Sequence, residues 1–239
     1  MRGLLTGLFL ALAGPAFADT TAVFERPAAN FKMTVEIASN GDLRGDVAGK
    51  PGTYILTING EGYVVIATPK GVVVDRVEDI GAALKVVAEK RLPGYSAMMK
   101  DLGPDVAGSG IPFVKGDEVT IQGRKGTPYY FSGPQSPGIP PLLVISNDPD
   151  LAPIGVAMAG QLAMSEHLQL FASHNPFNLS LKAIMKTGAP IEFAGAELTT
   201  VSHDPIPPSR FELPAAPESR DDIIKRIDAT ATSQSVRAF

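Results

Sequence analysis

The sequence predicts an α+β fold built on an antiparallel sheet. Three observations carry this reading. Short runs through the first half alternate apolar and polar residues with the period of a half-buried strand. Asn, Gly and Pro residues separate these runs by only a few positions, which favours sequential hairpins, a meander, over crossover connections. Segments with helical apolar spacing then interrupt the strands near residues 78–102 and 149–186.

Phe31, Met33, Val35 and Ile37 alternate with Lys32, Thr34 and Glu36 and define the first strand. Asn40-Gly41 is a strong turn signal, and DLRGDV after it pairs as the second strand. TYILTIN (53–59), YVVIAT (63–68) and VVVDRV (72–77) continue the meander, with turns at Gly60-Glu61-Gly62 and Pro69-Lys70-Gly71. From Glu78, the residues Ile80, Leu84, Val87 and Ala88 recur at helical spacing until Pro93-Gly94. Residues 95–102 add a further turn or two, and 103–112 form a loop.

EVTIQG (118–123), PYYFSG (128–133) and LLVISN (142–147) resume the sheet. The Pro- and Gly-rich GPQSPGIPP between the last two reads as a surface loop or a lid. Asp148-Pro149 supplies an N-cap and a proline at the first helical position. Asn175-Pro176 ends that helix and opens FNLSLKAIMK, which Gly188 and Pro190 close. IEFAG and ELTTVSH form a final hairpin before PIPPSRFELP. Beyond Ala215 the chain is polar, with a short helix over Ile223, Ile224 and Ile227 capped by Ser219-Arg220-Asp221-Asp222.

The chain opens MRGLLTGLFLALAGPAFADT. Arg2, an apolar run from Gly3 to Gly14 and Ala16-Phe17-Ala18 form the three parts of a secretory signal, cleaved after Ala18. The apolar run is shorter than the roughly 20 residues of a membrane span. The expected organisation is a signal over residues 1–18, one domain over 19–214 and a polar tail over 215–239, with the mature protein in the periplasm. No cysteine is present, which removes disulfides, thiol nucleophiles, thiolate metal sites and lipoprotein acylation. Net charge is −4, and −5 once Arg2 is lost with the signal. No Lys/Arg cluster appears, so nucleic acid is not an expected partner.

The helix after Asp148 carries two of the three histidines. Helical spacing places Val156, Gly160, Ala163, His167, Leu170, Phe171 and His174 on one apolar face, with Gln161, Ser165 and Gln169 opposite. The histidines are then either packed core residues or the polar points of an apolar cavity. They are seven residues apart, about 10.5 Å along a helix, too far to share one metal ion. No metal site or cofactor is expected. Met158 and Met164 are adaptable fillers suited to either a core or a variable apolar ligand. Gly94-Tyr95-Ser96-Ala97-Met98 lacks the closing glycine of a nucleophile elbow, and no preceding strand supports one. No catalytic constellation is assigned, and a hydrolase using Ser96 is the remaining enzymatic alternative.

Three pieces carry a family resemblance: MTVEIASNGDLRGDV, TGAPIEFAGAELTTV and IPPSRFELP. With the order of signal, meander, helices, strands and closing hairpin, the chain resembles periplasmic proteins of the LolA-like lipoprotein-carrier superfamily over residues 30–214. The resemblance implies a curved antiparallel half-barrel with helices covering its concave face and an apolar cavity between them. It also implies that Arg44, in Leu43-Arg44-Gly45-Asp46, occupies a position where carrier-like sequences place an arginine. On this reading Met158, Leu162, Met164, His167, Leu170, Phe171, His174 and Arg44 line a cavity for a lipid or a lipoprotein acyl chain. The rival expectation is a packed cell-envelope module that meets a protein partner.

Overall fold

A computed structural model describes residues 18–95, 97, 113–131, 140–168 and 176–236. Among the described residues, twelve antiparallel strands and four α-helices make an α+β fold. Strands β2 (Phe31–Ile37), β3 (Leu43–Val47), β4 (Tyr54–Ile58), β5 (Glu61–Thr68) and β6 (Gly71–Arg76) form the expected meander. β7 (Phe113–Lys115), β8 (Val119–Ile121), β9 (Arg124–Phe131), β10 (Leu143–Ser146), β11 (Ala189–Phe193) and β12 (Ala196–Ser202) make the other half. β1 (Thr20–Arg26) joins the halves by pairing with β2 on one side and β12 on the other. The spatial order is β6-β5-β4-β3-β2-β1-β12-β11-β10-β9-β7, with β8 attached to β9.

The sheet ends at β6 and β7, which do not pair. It is open, and neither closed nor strongly curled, so the strong curvature implied by the family resemblance is reduced to this coarser architecture. Tight hairpins set the register. Asn59-Gly60 and Ala194-Gly195 each hold both central residues at positive φ, the two-residue turn whose twist matches that of the flanking strands.

Alternation assigns the two faces. Leu43 belongs to the main core with Val35, Ile37, Leu151 and Ile154. Cross-strand pairing puts Val35, Gly45, Ile55 and Val64 in one row on that face. The helices α1 (Val77–Arg91) and α2 (Ala152–Leu168) pack against each other, while α3 (Pro176–Met185) packs on α2. Close approach of α2 to the β11 entry requires Gly155, where a Cβ would come within 2.8 Å of the Gly188 carbonyl oxygen.

After β12 the chain wraps around the sheet. The turn at Pro208–Phe211 crosses the face opposite α2, over β3 and β4. Leu213 packs beside Leu56, Tyr63, Val65 and Val74 on that opposite face. The Glu218 N–H then donates to the Val74 carbonyl and covers the β6 edge. The expected short helix is instead a 17-residue α4 (Arg220–Val236). The predicted Ser219 cap holds: its hydroxyl accepts from the Asp222 N–H. Arg220 pairs with Asp79 near the start of α1, and Asp228 pairs with Lys90 and Arg91 at its end. These pairs set α4 parallel to α1, and Ile223 is fully buried there.

Asp19, the first residue after the predicted cleavage, is built into this frame. Its carboxylate accepts the Ser39 and Ile206 N–H groups, each at 2.8 Å. The predicted signal itself lies outside the described residues.

Candidate functional site

α2 lies across the sheet, from β11 over β1 and β2 toward the β4–β5 hairpin. Its N-terminus is fixed by the Asp148 carboxylate accepting the Asp150 N–H, as the cap signal predicts. Leu151 and Ile154 are fully buried against the sheet. Farther along, α2 rises away from the β2–β3 hairpin and leaves a pocket of about 240 Å³. Ile37, Leu43 and Thr57 line the sheet side; Ala157, Gln161 and Met164 line the helix side.

The pocket is apolar, and none of its lining side chains is charged. Its polar groups are few, as in pockets for small apolar ligands. Gln161 Nε2 donates to Thr57 Oγ1 at 3.1 Å, tying helix to sheet. Thr57 Oγ1 donates weakly to Met164 Sδ at 3.7 Å. Met164 is seated over Gly62, where a Cβ would collide with the methionine sulfur and approach Val77 Cγ2 to 3.2 Å. Glycine in this strand interior therefore makes the seat for Met164. Beside α2 the same sheet face is only partly covered: Ile55 is 36% exposed, and Met33, Val47, Ile66 and Val73 are half-buried.

A wider depression of about 640 Å³ lies on the other flank of α2, against Ala152, Gly155, Met185 and Gly188. Asp148 and Lys186 stand at it. The smaller pocket is the better apolar site because no charge faces it.

The expected stripe on α2 is not the face packed on the sheet, although two of its members, Val156 and Gly160, line the pocket. Val156 is 70% exposed and Gly160 is exposed, while Ile154 is buried and Gln161 bonds to the sheet. The reason lies in composition. Between Ala152 and Met164 the only polar side chain is Gln161, and a helix apolar on all sides carries no phase.

Among the predicted cavity residues, Met164 lines the pocket. Met158 and Leu162 do not: they pack beside the Tyr129, Leu143, Ile145, Leu181 and Met185 cluster as core residues. His167 lies within α2, but its side chain is outside what is described. Leu170, Phe171, His174 and Ser96 lie outside the described residues.

Arg44 is on the other face of the sheet and is corrected as a cavity residue. Strand alternation turns it away from Leu43. Its Nε and Nη2 donate to Asp46 at 2.7 and 2.9 Å, and its guanidinium lies 3.6 Å from the Tyr54 ring centre. Arg210 joins the same cluster through Glu36 and Asp46. Burial opposes the Arg44 charge, but Asp46 outweighs it and holds the pKa above its ordinary value. The cluster anchors the returning chain to the sheet.

His203 is also structural. Its Nδ1 lies 3.2 Å from Thr20 Oγ1 and its Nε2 lies 3.1 Å from Asp150 Oδ1. This hydroxyl–imidazole–carboxylate line is not visible in the sequence, because its members are separated by 53 and 183 positions. Thr20 is fully buried. The line clasps β1, the end of β12 and the start of α2. Among the described residues, no three His, Cys, Asp or Glu side chains are placed to hold a metal ion.

Ile37, Leu43, Thr57, Ala157 and Gln161 line the pocket without being among the expected cavity residues, whereas Val156 and Gly160 belong to the expected stripe. The one available signal is Gln161, the lone polar residue in that apolar stretch of helix. Comparison with known proteins returns no match to a family model, a curated protein or a solved structure.

Proposed function

We propose that the protein is a non-catalytic periplasmic binder of a hydrophobic ligand, the acyl or alkyl chain of a lipid or an acylated partner. The observation that carries this reading is the uncharged pocket between α2 and the β2–β4 end of the sheet. Burying each methylene contributes about 0.8 kcal/mol, so such a pocket can hold a chain without dedicated polar chemistry. Met164 at the pocket end supplies an adaptable wall. The half-covered floor beside α2 offers apolar surface for a longer chain. An open sheet with helices across one face is compatible with a half-barrel of the carrier kind, and we read the fold that way.

The test is a native mass spectrum beside a denaturing one, on protein purified without detergent from the bacterial periplasm. A ligand-sized mass that disappears on denaturation, or is acquired on adding lipid, supports the reading. A bare protein that takes up no added lipid overturns it.

A further inference from the structure

We propose that the pocket selects a neutral head group, an alcohol, ester or amide at the end of a single alkyl chain, and that Gln161 is its specificity residue. This inference rests on the ligand-binding reading above.

Three observations lead to it. The first is size. A volume of about 240 Å³ lies below the roughly 300–1,000 Å³ of a drug-sized site. That suits one short chain or the end of a longer one.

The second is charge. No Lys, Arg or His lines the pocket among the described residues. The Arg44 and Arg210 guanidinium groups are engaged on the opposite face with Asp46 and Glu36. An ionised carboxylate or phosphate entering the pocket would leave water without a countercharge, a large penalty. A neutral polar group avoids it.

The third is the hydrogen-bonding inventory of Gln161. A primary amide offers two N–H donors and a carbonyl acceptor. One N–H is used on Thr57 Oγ1. The second N–H and Oε1 have no partner among the described residues. Ester and amide carbonyls accept from such an N–H, while an alcohol O–H or an amide N–H donates to Oε1. Thr57, on the facing wall, fixes the Gln161 side chain in place for this contact.

The experiment is isothermal titration of the purified protein with octan-1-ol and with octanoate at neutral pH, where octanoate is ionised. The wild-type protein is expected to bind the alcohol at least about tenfold more tightly. Gln161→Leu is expected to weaken octanol binding about fivefold, the size of one hydrogen bond, and to leave octanoate nearly unchanged. Gln161→Lys, which places a cation on the wall, is expected to reverse the preference. If octanoate binds the wild type as well as octanol, or if Gln161→Lys leaves the ratio unchanged, the inference is wrong while the hydrophobic-ligand reading stands. If neither compound binds, the underlying reading fails. The wild-type ratio needs no variant, so a variant that does not fold leaves the test intact.

Discussion

Arg226 of α4 forms an ion pair with Asp75 of β6, a carboxylate whose side chain is only 2% exposed. Asp75 ends the cross-strand row that runs through Ile55 and Val64, so the C-terminal helix neutralises a charge facing the helix side of the sheet. Arg226 Nη2 donates to Asp75 Oδ2, and Asp75 Oδ1 has no hydrogen-bond partner among the described residues. Removing Arg226 strands a buried carboxylate. Breaking a buried pair costs about 3–5 kcal/mol; Arg226 is 39% exposed, so Arg226→Ala is expected to cost about 2–3 kcal/mol, below that range because solvent screens the pair. Urea unfolding measures this loss, and Asp75→Asn in the Arg226→Ala background is expected to restore part of it. A loss below the error of the measurement would show that α4 is a dispensable tail.

Glu192 sets a second expectation, concerning pH. It is 8% exposed on β11 and pairs directly across from Glu197, which pairs in turn with Glu25 on β1. Burial first, and the Glu197 charge second, push its pKa above the ordinary carboxylate value. A raised folded-state pKa means that folding takes up a proton. The resulting stabilisation is fully present below the unfolded-state pKa and is lost as pH rises through the folded one. Glu192→Gln is therefore expected to raise Tm at neutral pH and to flatten the decline in Tm from the acidic range toward neutrality. An unchanged pH profile would count against a buried, partly repelled Glu192.

Arg44→Ala separates the two faces of the sheet. The residue braces Asp46 and Tyr54 away from the pocket. The substitution is expected to lower stability by about 1–3 kcal/mol, as for hydrogen bonds to charged groups, without changing ligand affinity. Paired unfolding and binding titrations decide it; a large affinity loss at unchanged stability would place Arg44 back in a binding site.

Gly62 and Met164 test the pocket end. Gly62→Ala inserts a methyl where the Met164 sulfur sits, with an expected cost of about 1–3 kcal/mol from overpacking. Met164→Ala in that background is expected to recover most of this cost. On its own, Met164→Ala lengthens the pocket and shifts preference toward longer alkyl chains, read from titrations across an alcohol series. No change in chain-length preference would remove Met164 from the wall.

Much of the sheet was legible because strand burial leaves a two-residue period. The runs from Phe31 to Arg76 and the Asp148 and Ser219 caps fall where the residues indicate. β1 was not read as a strand, although it is the strand that joins the halves. Its buried residues, Thr20, Ala22 and Phe24, give a weak apolar alternation directly behind the predicted signal. The three-residue β7 is too short to show a period.

The site was less legible. A helix with nearly uniform apolar character does not reveal which side faces the sheet, and Val156 and Gly160 of the expected stripe are exposed at the pocket rather than packed in the core. Gln161 marks the correct phase only once Thr57 is seen opposite it. Arg44 was placed by family resemblance, while the alternation of its own strand sends it to the other face. The His203 clasp joins distant segments, a relation that local spacing cannot carry.

The most direct measurement of the central claim is the labelling pattern of a photoreactive alkyl alcohol, mapped by peptide mass spectrometry. The account predicts labels confined to the pocket walls, at residues 37–43, at Thr57 and between Pro153 and Met164, with competition by unlabelled octan-1-ol. Labels spread over the surface, or gathered on the opposite face around Arg44 and Leu213, would contradict it.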